Sequence, residues 1–115
     1  MAQDVPAYTI AGKETVLETA DARVTLMTLA VGQSIPAHSH TSVTDTTFCL
    51  SGLTTITLFG PAGLSGPVER LRLTPGDRAQ VPPGRVHGLT NSGTVPARLL
   101  LVQGPGPYDF KPEGA

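Results

Sequence analysis

Short runs of β-forming residues, broken every few positions by glycine or proline, dominate the hydrophobic pattern of this chain. The longest run covers residues 22–31 and is closed by Gly32. Val68–Leu73 alternates cleanly, with two leucines on one face and two arginines on the other, which is typical of a half-exposed strand. Because short strands and frequent turn residues leave little room for long helices, the pattern predicts an all-β sandwich or barrel.

The remaining predicted strands are equally short, and they cover residues 8–10, 15–17, 35–40, 46–50, 53–59, 79–81, 86–90 and 97–102. The last of them is apolar enough to be buried on both faces. Ser51 and Gly52 predict a hairpin, residues 59–67 a loop, and the tail 104–115 irregular structure. Tyr108 and Phe110 in that tail either dock on the body or on a second subunit, or belong to a loosely held end. Eight to ten antiparallel strands predict one jelly-roll or barrel domain over residues 1–115.

Length, charge and cysteine content restrict the classes of function. The chain has 115 residues, a net charge of −1 and no basic block, so we expect neither a nucleic acid nor a membrane as partner. It has no run near the ~20 apolar residues of a membrane span and no signal-peptide pattern at its N-terminus. A single cysteine, Cys49, allows no internal disulfide, and a reducing cytoplasm is therefore the expected compartment.

The three histidines, His38, His40 and His87, stand where a metal ion would need ligands. Residues two apart on a strand point to the same side, so the first two can share one ion. A third histidine from a distant strand and a carboxylate would complete a site for one divalent transition metal. Fe, Mn, Ni, Co and Zn all suit such a nitrogen and oxygen set, and the residues alone do not choose among them.

Two spaced patterns contain these histidines. The first is Gly32-x5-His38-x-His40-x4-Asp45-x6-Gly52, and the second is Gly76-x5-Pro82-x-Gly84-x2-His87-x3-Asn91. They resemble the two signature motifs of the cupin superfamily, G-x5-H-x-H-x(3,4)-E-x6-G and G-x5-P-x-G-x2-H-x3-N. The chain departs from them only at Asp45, where the family has glutamate. Two such motifs in the right order make a coincidental match implausible.

The resemblance implies a double-stranded β-helix with His38, His40, His87 and Asp45 around a metal ion. Aspartate is one methylene shorter than glutamate, which moves its carboxylate by ~1.5 Å. Direct ligation, ligation through a water molecule, and a hydrogen bond to a ligand histidine all stay open for Asp45. Thr47, Cys49 and Arg85 are candidates for lining the pocket, although packing roles for the first two and a solvated position for the third are the ordinary alternatives.

For function, the resemblance implies a metal-dependent enzyme acting on a small molecule. A dioxygenase comes first, and an isomerase, lyase or cyclase second. In a Lewis-acid version of the reaction, Asp45 would be the catalytic general base. The alternative is a non-catalytic cupin module that binds or senses a small molecule. Small members of the superfamily commonly form homodimers, with exchange of N-terminal strands as one mode of pairing.

Overall fold

In this computed structural model, residues 9–60 and 68–113 are described. They form ten β-strands: β1 (Gly12–Glu18), β2 (Arg23–Leu29), β3 (Ser34–Ser39), β4 (Thr44–Ser51), β5 (Thr54–Phe59), β6 (Val68–Leu73), β7 (Arg78–Val81), β8 (His87–Asn91), β9 (Ala97–Gly104) and β10 (Lys111–Pro112). None of these described residues belongs to a helix able to span a membrane.

The strands make two five-stranded sheets, ordered β1-β2-β9-β4-β7 and β10-β3-β8-β5-β6. Neighbouring strands are antiparallel in every pair. Consecutive strands repeatedly change sheet, which is the arrangement of a jelly roll. The predicted all-β, double-stranded β-helix architecture is confirmed.

The core lies between the two sheets, because alternate side chains of each strand point inward. β2, β4 and β9 all show this alternation, with the odd-numbered residues buried over 25–29, 45–49 and 97–103. The prediction that residues 97–102 are buried on both faces is wrong. Arg98 is exposed, and Leu100 and Val102 are only partly buried, because the outer face of β9 has no third layer over it.

The predicted hairpin at Ser51 and Gly52 is also wrong. β4 and β5 lie in different sheets, so the turn between them is a corner that takes the chain across the barrel. Gly52 has a positive φ of 79°, and a Cβ placed on it would lie 2.8 Å from the Cα of Ala97. A tight corner against the start of β9 therefore requires glycine here.

Most other predicted strands are confirmed with small changes in their bounds. The predictions for the two ends of the chain differ more from the structure. Residues 9 and 10 are not in a strand, whereas Tyr8 lies outside the described residues, and β1 extends well beyond the predicted 15–17. Within the predicted loop at 59–67, residues 61–67 are likewise outside the described part of the chain. The predicted irregular tail contains β10, which pairs with β3.

Candidate metal centre

Three neighbouring stretches of the fold bring the histidines and the aspartate together. His38 lies on β3, with His40 just beyond its end, and His87 begins β8 directly opposite His38. The strand that carries His87 is distant in sequence, but β3 and β8 are hydrogen-bonded neighbours in one sheet. Asp45, the second residue of β4, is the one that reaches in from the other sheet. Each of the four is at most 3% exposed.

Backbone carbonyls fix the ring orientation of all three histidines. The Nδ1 atoms of His38, His40 and His87 lie 2.7 Å, 2.6 Å and 2.9 Å from the carbonyl oxygens of Pro36, Asp109 and Arg85. A carbonyl oxygen can only accept a hydrogen bond, so Nδ1 carries the proton in each ring. In the neutral rings, Nε2 is then left with a lone pair available for a metal ion.

The Nε2 atoms of His40 and His87 meet at one oxygen of Asp45. Oδ2 lies 3.1 Å from Nε2 of His40 and 3.2 Å from Nε2 of His87. Counting one ligand atom from each of the four residues, including His38, all lie within 4.8 Å of one another. Ligands bound ~2.1 Å from the same ion are separated by roughly 3 to 4 Å, so small side-chain rotations would let these four share one.

The chemistry of these donors requires a positive charge between them. A neutral Nδ1-protonated imidazole has only a lone pair to offer at Nε2, and an ionised carboxylate can only accept. Two such rings cannot stabilise Oδ2 of Asp45 unless a proton or a metal ion lies between them. The other oxygen, Oδ1, is buried without a hydrogen-bond partner among the described residues, which adds a further unused ligand atom. The residues present therefore fit a transition-metal ion.

Protonation of the metal-free cluster follows the same logic. Burial is the largest single influence on both His40 and Asp45 and disfavours their charged forms, but the hydrogen bonds and opposite charges around each residue together outweigh it. As a result the pKa of His40 is raised above its usual value, and the pKa of the Asp45 carboxyl is held well below its usual range, with His87 contributing. Asp45 is therefore ionised and available as an anionic ligand.

His38 differs from its neighbours. Burial first, and the nearby His87 second, lower its pKa to about 4. The ring of Phe110 stacks on it, with 4.4 Å between centroids and 20° between planes. His38 is thus a neutral imidazole at ordinary pH, which is the form that binds metal ions.

Residues 108–113, here called the C-terminal strap, close one side of this cluster. Besides the Asp109 carbonyl on His40, the strap places the ring of Tyr108 5.3 Å from that of His40. The Asp109 carboxylate accepts hydrogen bonds from the amide and hydroxyl of Thr41, and the amide of Glu113 donates to the Ala37 carbonyl. Of the open interpretations of Tyr108 and Phe110, the structure shows docking on the body of the same chain.

A narrow cleft leads from the surface to His38 and His40. It has about 330 Å³ of empty space counting its open mouth, and its enclosed part has room for little more than a water molecule. Its walls consist of Lys13, Arg23, Thr25, Met27, Ile35, His38, His40, Leu89, Leu101, Gln103, Tyr108 and Phe110.

The three residues predicted to line the pocket are not part of this cleft. Thr47 is buried on β4, and Cys49 belongs to the hydrophobic core, where its thiol donates to the carbonyls of Ser51 and Gly52. Arg85 contributes its carbonyl to His87, while its Nε donates to the Phe59 carbonyl at 2.6 Å.

Two contributors to the site were not found from the sequence. Gln103 lies opposite Asp45 on β9, and its amide donates to Oδ2 at 3.3 Å. The sequence did contain a signal for Gln103, because it continues the alternation of inward-facing residues 97, 99 and 101. The Asp109 carbonyl had no signal at all, since any residue in that position offers the same backbone oxygen.

Comparisons with known proteins agree with this geometry. The family model of the cupin domain matches residues 25–103, more than half of the chain. No curated protein matches the sequence. An uncharacterised conserved protein with a double-stranded β-helix domain from Klebsiella pneumoniae is 30% identical, with 96% of this chain and 91% of that chain covered and a TM-score of 0.71.

Two further solved structures extend the likeness. A protein from Thermus thermophilus is 27% identical over 93% of this chain and 96% of that chain, with a TM-score of 0.72. An oxalate oxidase shares the fold at 16% identity, covering 91% of this chain and 57% of its own, with a TM-score of 0.75. With the family model matched across both motifs and the same barrel in these structures, the chain belongs to the cupin domain family.

Proposed function

We propose that the chain is a mononuclear metal-dependent enzyme that acts on a small molecule. A dioxygenase-type reaction is the first candidate, and isomerase, lyase or cyclase chemistry is the second. The observation that carries the proposal is that one ligand atom from each of three histidines and an ionised carboxylate lie within 4.8 Å of one another, beside a cleft that His38 and His40 line. The oxalate oxidase in the same fold shows that a cupin barrel can support oxidation, but at 16% identity it says nothing of this chain's substrate.

We propose Asp45 as a metal ligand rather than as the general base. Oδ2 is enclosed by His40, His87 and Gln103, and the residue is 1% exposed and outside the walls of the cleft. Its lowered pKa also makes it a weak base. Both facts favour direct ligation among the three possibilities that the shorter side chain leaves open.

The bound ion would act as a Lewis acid or as a redox centre for the substrate, held by His38, His40, His87 and Asp45. The protein's own contribution is to fix the rings through their carbonyl partners, so that little reorganisation is needed when the ion binds. Phe110 and Tyr108 shield the cluster from bulk water, which strengthens electrostatic interactions inside it. The substrate would approach along the cleft, because that is where His38 and His40 face open space.

Oxygen uptake and product formation test the proposal. The protein, loaded anaerobically with Fe(II), is mixed with a panel of small carboxylic and hydroxy acids, and oxygen consumption is followed with an electrode while products are separated by chromatography. The same panel is run without oxygen for isomerase and lyase products. We expect turnover of at least one compound, and its loss in His87→Ala. Thr90→Ala, an exposed change on the same strand, is the matched control.

Two outcomes would contradict the enzyme proposal. Full activity in a His87→Ala protein that holds no metal would show that the cluster is not the catalytic centre. Tight binding of a compound without any product would favour the alternative of a non-catalytic binding or sensing module. The small enclosed volume of the cleft is the feature that limits either role to small molecules.

We also propose that the chain forms a homodimer in the cytoplasm. β1 pairs only with β2 among the described strands, and Val16 and Leu17 on it are each more than half exposed. A second copy covering this edge would bury those side chains. Light scattering at micromolar concentration should give twice the chain mass, and a monomer would contradict the dimer. Cys49, buried and free, suits a reducing compartment.

A further inference from the structure

The charged side chains that line the cleft apart from the histidines are both cationic. They are Lys13 on β1 and Arg23 at the start of β2, and none of the described residues lining the cleft carries a carboxylate. Lys13 stays exposed, but its partial desolvation, and then the neighbouring Arg23, lower its pKa, whereas Glu18 opposes that shift from outside the cleft walls. Two cations placed close enough to affect each other are costly unless an anion joins them.

Strand register places Arg23 in line with the metal centre. Asp45 is opposite Gln103 across β4 and β9, and Gln103 is opposite Arg23 across β9 and β2. The three side chains therefore form one row on the inner face of the sheet. The backbones of Arg23 and Asp45 are two strand spacings apart, or about 10 Å. The long side chain of Arg23 can bring its guanidinium closer to Asp45 than that.

Two further features of the cleft point to a ligand. Thr25, 2% exposed and on the cleft wall, has a hydroxyl without a hydrogen-bond partner among residues 9–60 and 68–113. Buried hydroxyls usually have a partner, so this one is available to a bound molecule. The guanidinium of Arg23 lies 4.3 Å from the ring centre of Tyr108, another residue of the cleft wall, and this contact helps to fix its position.

We propose that the cleft binds a small carboxylic acid, with its carboxylate held by Arg23 and Lys13 and hydrogen-bonded by the Thr25 hydroxyl. Its other end reaches toward His38 and His40. The inference deepens the proposed function and rests on it, because it names the substrate class of the same site. Arg23, Lys13 and Thr25 are specificity residues in this scheme, and none of them is a candidate metal ligand.

Calorimetric titration of the zinc-loaded protein with succinate, succinamate and succinamide tests the assignment. The three probes have the same length and carry two, one and no carboxylates. We expect affinity to fall along that series. Arg23→Gln should weaken succinate binding roughly tenfold and leave succinamide unchanged, as expected for losing one charge-assisted hydrogen bond. Thr25→Val, which keeps the side-chain shape, should weaken succinate by a smaller factor.

Arg98→Gln is the matched control, because it removes the same charge from the exposed face of β9 and should leave all three affinities unchanged. Equal binding of succinate and succinamide, or no effect of Arg23→Gln in a folded protein with one zinc per chain, would overturn the anion site while leaving the proposed function standing. If no zinc binds, the proposed function fails instead. Succinate titration of the zinc-free protein and its Arg23→Gln variant then decides the anion site separately.

Discussion

The C-terminal strap should determine how tightly the centre binds a metal ion, although it contributes no ligand. Ending the chain at residue 107 removes the Asp109 carbonyl that fixes His40, the Phe110 ring on His38, and the pairing of β10 with β3. All the candidate ligands remain. The comparison chain ends at residue 113, which keeps every described strap contact.

The expected losses of metal affinity and of folding stability follow from these contacts. Losing the partner that orients a ligand histidine typically costs 10–100-fold in metal affinity, or about 1.4–2.7 kcal/mol. Phe110 is partly buried against the core, so removing it costs about 2 kcal/mol of folding stability, roughly half the loss for a fully buried phenylalanine. The strap's own hydrogen bonds add about 1 kcal/mol each.

Competition between the protein and a chelating dye for zinc measures the affinity, and urea unfolding of the zinc-free protein measures the stability. Full-length Phe110→Ala separates the two effects, because it retains the Asp109 carbonyl. We expect that variant to lose stability while its zinc affinity falls less than that of the truncated chain. Equal zinc affinity of the truncated and comparison chains, with both folded by circular dichroism, would refute the orienting role of the strap.

Two predictions concern the fold around the site. Gly52→Ala should cost about 2–4 kcal/mol in urea unfolding, from its positive φ and the close approach to Ala97. Gly32→Ala, with a similar φ and open space around it, should cost only about 1 kcal/mol, and equal losses would contradict the argument. Burial and the nearby Asp77 raise the pKa of the Cys49 thiol, so a thiol-specific reagent should label the native protein at least about a hundredfold more slowly than the unfolded chain. Rapid labelling of the native protein would place the thiol at the surface.

The architecture and the three histidines could be predicted from residue types and their spacing, and the resemblance to the cupin motifs added Asp45. Strand alternation and the spacing within each motif are properties of short segments, so they can be recognised without knowing how the strands pair. The prediction of a hairpin at Ser51 and Gly52 was wrong because a turn with glycine has the same sequence pattern whether its two strands pair with each other or lie in different sheets. The burial of β9 was overestimated because apolar composition does not reveal how many layers cover a sheet.

The strap and the cleft could not be predicted for a different reason. The Asp109 carbonyl belongs to the backbone, so no pattern of side chains in the sequence predicts its contact with His40. Arg23 and Gln103 reach the site through cross-strand register, which depends on pairing between distant segments. Thr47 and Cys49 share the inward face of β4 with Asp45, as predicted, but sharing a face does not place them at the cleft.

The metal content of the purified protein tests the central claim most directly. Protein prepared without chelator is analysed by plasma mass spectrometry before and after loading, beside His87→Ala and the Thr90→Ala control. The account predicts close to one transition-metal ion per chain in the wild type and control, and a small fraction of that in His87→Ala. A wild-type protein that holds no metal and cannot be loaded to one equivalent would contradict the account.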